Sequence, residues 1–239
     1  VQLDKLLRTV LFNKKLKIFI QISTSEVYGS SSDGLNMSEE HPLNPMSPYA
    51  AAKCGADRMV YSYSKTYGLP SVIIRPFNNY GPKQHLEKLI PRMICCGILN
   101  KEFKVHGDGL ASRDYIHVID TCNAILKLVD NYSSINEVEV YNIGSDSSIS
   151  VINILNKIQN HFNNNIKFKK INNRPGQVDF HLSNSQKFRT KFNWKTNISL
   201  DEGINQTVNW YKNNSEWWEH KFKFSEIRVV MPNGEIFYH

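Results

Sequence analysis

The sequence predicts an α/β fold built on parallel strands, and three observations carry that prediction. The run Lys17 to Ile22 is apolar, short and bounded by Ser23 and Thr24, as a buried strand would be. A helical stretch, Tyr49 to Tyr67, follows a serine-rich loop that runs from Gly29 to about Asn44. A second apolar run, Ser71 to Arg75, comes next. Strand, loop, helix and strand in that order are the signature of a right-handed parallel unit.

Each element has a local reason. Residues Gln2 to Phe12 read as a helix, so the chain opens inside an element at Val1, and further sequence upstream is expected. Pro48 stands at the start of the helix 49–67, where its missing N–H has no partner to lose, and Gly68 is the stop signal. Beyond Pro76 the segment Asn78-Asn79-Tyr80-Gly81-Pro82 reads as a loop. Helices are expected over Leu89 to Leu99, Asp120 to Asp130, Ile152 to Phe162 and Asp201 to Tyr211. Strands are expected over Phe103 to His106, Val138 to Ile143 and Ile166 to Ile171. Ile227 to Tyr238 reads as a hairpin about Pro232-Asn233-Gly234, since Asn-Gly supplies the positive φ angles of a tight turn.

Composition narrows the class. With 239 residues, 41% hydrophobic and 21% charged, the chain is globular and large enough for a core. Its formal charge of +7 fits a solvated basic surface or an attraction for a phosphate-bearing ligand. No long basic run or recognition motif points to nucleic acid. No apolar run reaches membrane-span length and no signal peptide is visible. Cys54, Cys95, Cys96 and Cys122 have neither disulfide-framework nor zinc spacing, so they read as reduced thiols of a cytoplasmic protein with no metal.

The strongest chemical signal is Tyr49-x-x-x-Lys53. Residues four apart share a helix face, so a phenol and an ammonium can reach one site. A neighbouring Lys⁺ favours the phenolate, as a general base near neutral pH requires. The plainer reading is two surface residues that happen to be four apart. Ser23, Thr24, Ser25 and Glu26 lie at the carboxyl end of the first strand, where open α/β sheets bind ligands. There, too, capping of a turn by Thr24 or Ser25 and a solvated Glu26 are the bland alternatives.

Several motifs in fixed order resolve the choice. Ser23-Thr24-Ser25-Glu26-Val27-Tyr28-Gly29 and Ser47-Pro48-Tyr49-Ala50-Ala51-Ala52-Lys53 resemble the extended short-chain dehydrogenase/reductase family. So do Arg75-Pro76-Phe77-Asn78-Asn79-Tyr80-Gly81-Pro82, Glu87-Lys88-Leu89-Ile90-Pro91 and Arg113-Asp114-Tyr115. Tyr141-Asn142-Ile143-Gly144 and Arg174-Pro175-Gly176 continue the pattern, and the ending Trp210-Tyr211 to Trp217-Trp218 is similar to that of dTDP-glucose 4,6-dehydratases.

The resemblance implies a Rossmann-like doubly wound parallel sheet, here without its first half, and a smaller C-terminal α/β substrate-binding domain. Residues 1–77 would belong to the NAD-binding domain, with 114–143 returning to it, and 78–239 mainly to the nucleotide-sugar-binding domain. It implies NAD as cofactor, a nucleotide diphosphate sugar as substrate and a homodimer. Tyr49 would take the proton from the sugar O4, Lys53 would hold the nicotinamide ribose and tune Tyr49, and Thr24 would align O4. Glu26 would remove the C5 proton, and Ser25 completes the catalytic set. Ser23, Pro76 and Asn78, with Tyr49 and Lys53, would contact the cofactor. Asn78, Lys88, Arg113, Asn142 and Arg174 would contact the substrate, arginine because its fork suits phosphate oxygens.

Three departures shape the functional expectation. Ser25 stands where dTDP-glucose enzymes carry an acidic Asp; Thr-Ser-Glu is instead similar to GDP-mannose 4,6-dehydratases and UDP-glucuronate decarboxylases. After Arg174-Pro175-Gly176 the chain reads Gln177-Val178-Asp179-Phe180-His181 rather than that family's pattern. No Gly-x-x-Gly-x-x-Gly occurs, so on the order of 100 residues of dinucleotide-binding half are expected to be absent. The expected activity is a nucleotide-sugar 4,6-dehydratase. The alternatives are a C4 epimerase or UDP-glucuronate decarboxylase, and, from another class, a catalytically silent sugar-nucleotide-binding module.

Overall fold

The structure, a computed structural model, describes residues 2–31, 34–135, 137–173, 178–223, 228–230, 234 and 236–238. The chain divides into two units, each assembled from three stretches of sequence. The first takes Val1–Asn79, Arg113–Ser148 and Val178–Asn197; the second takes Tyr80–Ser112, Ile149–Gln177 and Ile198–His239.

The elements follow in chain order. Helix α1 spans Gln2–Leu11, strand β1 Phe19–Ile22 and a single 3-10 turn Ser25–Tyr28. Helix α2 spans Pro48–Tyr67, strand β2 Ser71–Pro76 and strand β3 Asn78–Tyr80. Then come α3 (Leu89–Ile98), β4 (Phe103–His106), β5 (Ser112–His117) and α4 (Val118–Asp130). After β6 (Glu139–Ile143), β7 (Ser148–Ser150) and α5 (Val151–Gln159) the chain forms β8 (Phe168–Ile171). Helices α6 (Gln186–Phe192), α7 (Leu200–Asn213) and α8 (Ser215–Phe222) precede β9 (Arg228–Val230) and β10 (Ile236–Tyr238).

The first unit is a parallel sheet in the order β1-β2-β6, the expected α/β arrangement. Phe19 pairs with Ser71 and Ile22 with Ile74, while Ile74 pairs with Tyr141 on the other side. Every residue of β2 is buried, because a central parallel strand is covered on both faces. Side chains alternate accordingly. Val72 and Ile74 join Tyr141, Ala124, Leu128, Phe188, Phe192 and Trp194 in one core. Ile73 faces the other way, among Leu7, Val60, Tyr63 and Leu69.

Helix α2 begins and ends as its sequence dictates. Ser47 Oγ accepts from Ala50 N, Pro48 occupies the first turn, and Gly68 adopts φ 69° with its N–H on Ser64 O. Such a cap is worth about 1 kcal/mol.

Several expectations are corrected. Asn78–Tyr80 is a short strand rather than a loop, and Arg113-Asp114-Tyr115 lies on β5. Residues 178–197 fold into the first unit, not with the second part of the chain, because Phe188, Phe192 and Trp194 complete the core around Tyr141. The hairpin strands pair antiparallel, Ile236 with Val230; Pro232 and Asn233 lie outside the described residues.

In the second unit β4 and β8 pair in parallel, Phe103 with Phe168. Helix α3 buries Ile90, Met93, Ile94 and both adjacent cysteines. Trp218 Nε1 donates to Tyr211 O at 2.8 Å, and Tyr211 Oη donates to Gln84 O at 2.6 Å. Among the described residues no helix is long and apolar enough to cross a membrane.

Candidate active site

The site grows from the carboxyl end of β1. Ser23 N donates to Ile74 O at 2.8 Å, the last rung joining β1 to β2. The chain then turns at once into the 3-10 helix Ser25–Tyr28, with Thr24 as its cap: Thr24 Oγ1 accepts from Glu26 N at 3.2 Å. The capping reading of Thr24 is therefore satisfied. It does not exhaust the residue, because a hydroxyl that accepts through a lone pair keeps its proton to donate. Ser23 and Ser25 are buried, while Thr24 and Glu26 are half-buried.

Helix α2 brings the second half of the site. Lys53 Nζ donates to Ile22 O at 2.9 Å, which ties the helix to the end of β1 immediately before Ser23. An ammonium carries three donors, so two more are left for other acceptors. Tyr49, one turn earlier on the same face, is 58% exposed and presents its ring to solvent. Ser23, Thr24, Glu26, Tyr49 and Lys53 thus belong to one unit and to two adjoining elements.

Beneath them lies a buried polar chain. Asp57, one turn beyond Lys53, pairs with Arg75 at 3.0 Å. Arg75 Nη1 donates to Tyr28 Oη at 2.9 Å, and Tyr28 Oη donates to Asn142 Oδ1 at 2.7 Å. Asn142 Nδ2 donates to Met37 O at 2.9 Å, and its backbone N–H to Glu39 Oε1 at 2.8 Å. Burial pushes the Tyr28 phenol up to about 12 despite the pull of Arg75. Burial likewise raises Asp57 against the Ser23 hydroxyl and Arg75, and raises Glu39 against the Asn142 N–H. Tyr28 therefore stays protonated and acts as a fixed donor. The chain anchors the 3-10 helix from below.

The other expected residues fall in different surroundings. Pro76 is the buried last residue of β2. Asn78 follows it, and its Nδ2 is buried with no hydrogen-bond partner among the described residues. Asn142 is fully buried, and its amide bonds Tyr28 Oη and Met37 O. Arg113 is 9% exposed, at the start of β5. Its neighbour Asp114 accepts from Ser145 N and Oγ, Asp146 N and Ser183 N and Oγ, which ties two segments to β5. Lys88 belongs to the second unit, where its exposed ammonium lies 3.2 Å from Glu87 Oε1. Arg174 lies outside the described residues.

A family model described as GDP-mannose 4,6 dehydratase matches residues 3–207. The chain is a member of the GDP-mannose 4,6 dehydratase family. It is 35% identical over 210 residues to a probable dTDP-glucose 4,6-dehydratase of Sinorhizobium fredii, covering 84% of this chain and 59% of that one. Among solved structures it is similar to the dTDP-glucose 4,6-dehydratase of Bacillus anthracis in complex with NAD. There the TM-score is 0.81 at 35% identity, covering 91% of this chain and 68% of that one. It is also similar to a UDP-glucuronic acid 4-epimerase of Bacillus cereus in complex with UDP-glucuronic acid and NAD, with TM-score 0.84 at 26% identity, covering 88% and 66%. The sheet of the first unit is accordingly Rossmann-like. The chain spans about 60% of the length of the curated dehydratase it matches.

Sequence reasoning passed over Asp57 and Tyr28 as partners of Arg75. A signal was present: an arginine closing an apolar strand needs an internal counter-charge. Asp57 lies four residues beyond Lys53, on the same face of α2.

Proposed function

We propose that this chain carries the catalytic residues of an NAD-dependent nucleotide-sugar 4,6-dehydratase, converting an NDP-hexose to its 4-keto-6-deoxy form with loss of water. One observation carries the reading. Glu26 rides on a capped 3-10 turn directly after β1, and Lys53 is fastened to the same strand end at Ile22 O. A redox pair alone needs no base beside it; a carboxylate there adds proton abstraction.

The residues suit NAD. Asn78 Nδ2 is a buried donor that awaits an acceptor, and Lys53 keeps donors for a ribose. When bound, NAD supplies a hydride acceptor for C4 and a hydride donor for C6. Tyr49 takes the O4 proton, and Lys53 lies one turn along the same helix face. Thr24 donates to O4 and aligns the sugar. The resulting ketone acidifies C5–H, Glu26 removes that proton, and the C6 hydroxyl departs as water. Ser25 is no acid, so Glu26 itself returns the proton to the leaving oxygen, and the proton that Tyr49 took from O4 balances the one that C5 regains. Arg113, in the same unit, supplies a cation for the diphosphate.

The four free cysteines support work in a reducing compartment such as the cytoplasm. Exposed Leu6 on α1 and Tyr67 on α2 support pairing of two copies through these helices.

The test is to express the whole reading frame and incubate it with dTDP-, UDP- and GDP-hexoses. A 4-keto-6-deoxy product is expected with one of them, and Glu26→Gln should lower turnover by roughly 10²–10⁴-fold. An inverted C4 configuration with no loss of water would favour the epimerase instead. No product with any nucleotide would sink the dehydratase reading.

A further inference from the structure

We infer that His181 is a positioning residue for Glu26: it fixes the Gly29 carbonyl, and through Gly29, the C-cap residue, the short helix on which Glu26 rides. The inference rests on the dehydratase reading for what Glu26 does, but the geometry stands by itself.

His181 is fully buried, and its Nε2 lies 2.5 Å from Gly29 O. A carbonyl can only accept, so the proton sits on Nε2. Gly29 is held from both of its peptide groups, because its own N–H, in the preceding peptide, donates to Glu26 O at 3.2 Å. Imidazole, Gly29 and the Glu26 carbonyl therefore form a short hydrogen-bonded chain. At its other end the Glu26 N–H is taken by Thr24 Oγ1. The Glu26 backbone is thus held on both sides.

Gly29 cannot slide out of this arrangement. It sits at φ 74°, ψ −149°, a region essentially reserved for glycine, and a Cβ there would stand 2.3 Å from Asn44 O. The segment that carries His181 is stitched to the loop leaving Gly29. Ser31 N donates to Phe180 O at 3.3 Å, Met37 N to Leu182 O at 2.8 Å, and Asn184 N to Met37 O at 2.9 Å. The imidazole also packs edge-on to Phe77, with ring centroids 5.8 Å apart.

The remaining ring nitrogen, Nδ1, is buried with no partner among the described residues. A second proton there would be an uncompensated buried donor. Burial pushes His181 below its ordinary value and Arg113 and His41 add to this, while the Glu26 carboxylate and the Gly29 carbonyl oppose it. The ring therefore works as a fixed neutral donor, not as a proton carrier. A base displaced by about 1 Å loses on the order of 10²-fold in rate, so the clamp bears on chemistry as well as on folding.

The experiment separates the two half-reactions. The whole reading frame, loaded with NAD, is mixed rapidly with the accepted nucleotide hexose, and reduced nicotinamide and product are followed together. His181→Phe keeps the ring volume and removes the donor. Hydride removal at C4 should change less than about threefold, while C5 proton loss slows roughly 10²-fold. Reduced cofactor should therefore accumulate, and exchange of the C5 hydrogen with solvent deuterium should fall. His181→Gln, whose amide reaches the Nε2 position, should restore turnover; His181→Asn, one methylene shorter, should not. If His181→Phe does not fold, the Gln and Asn variants decide.

A His181→Phe protein that turns over normally without accumulating reduced cofactor overturns the inference. So does one in which both half-reactions fall together, or a stable His181→Gln protein no better than His181→Asn. A wild-type protein that forms no dehydrated product overturns the dehydratase reading, and this inference with it.

Discussion

Arg75 and Asp57 form an ion pair at 3.0 Å with side chains only 3% and 0% exposed. The pair joins the centre of the sheet to the helix that carries Lys53, and Arg75 passes on to Tyr28 at the foot of the 3-10 turn.

Removing one partner of such a pair strands the other charge away from water, at about 3–5 kcal/mol. Arg75→Met is therefore expected to lower unfolding stability by that amount in urea denaturation. Tyr28→Phe leaves Asn142 Oδ1 and Arg75 Nη1 short of a partner and should cost about 1–3 kcal/mol. Because Arg75 and Tyr28 touch, the double variant should lose less than the sum of the singles. Strict additivity would argue against a shared network.

Gly29→Ala places a side chain in a backbone region that costs about 1–3 kcal/mol for other residues, and against Asn44 O besides. A fall of at least about 2 kcal/mol in unfolding free energy is expected, read from the shift in denaturation midpoint. An unchanged midpoint would mean that the turn after Tyr28 relaxes freely.

Asn78 offers a test of cofactor binding that does not depend on turnover. Asn78→Ala should leave thermal stability within about 0.5 kcal/mol, since no partner of its Nδ2 is lost. It should nevertheless weaken NAD binding by roughly tenfold, the worth of one good hydrogen bond. Calorimetric titration of NAD into both proteins checks this, and equal affinities would count against it.

The histidines give stability a defined pH dependence. Burial lowers His181 and His117 below their ordinary 6.5 in the folded state. On acidification the unfolded chain binds protons first, so this contribution is full above pH 6.5 and is lost as pH falls below it. Asp57, Glu39 and Asp114, raised by burial, act in the opposite sense at lower pH. The comparison of interest is therefore wild type against His181→Gln. Between pH 7.5 and 5.5 the wild type should lose more unfolding free energy than the variant, by up to about 1.4 kcal/mol per pH unit. Parallel curves would exclude the burial effect at His181.

Much of the first unit was legible because its signals are local. Pro48 and Gly68 mark the ends of α2, and the apolar runs at 19–22 and 71–76 have strand length. Helix α6 was not legible: it is seven residues long, and only Phe188 and Phe192 mark its inner face. Strand β5 carries Arg113, Asp114 and His117, all buried, so its polar sequence conceals its position. The Tyr49 and Lys53 spacing pointed to a candidate site, but not to Lys53's hold on Ile22 O, which spans thirty-one positions in sequence. His181 was harder still, since its partner Gly29 lies 152 positions away.

The two units share out the sequence in alternating stretches, three to each. No single cut in the gene releases either one whole. A segment such as 178–197, exchanged between relatives, would carry Phe188, Phe192 and Trp194 out of the core along with His181. The stretch that carries His181 and the stretch that completes the core are thus one and the same, so neither can be exchanged without the other.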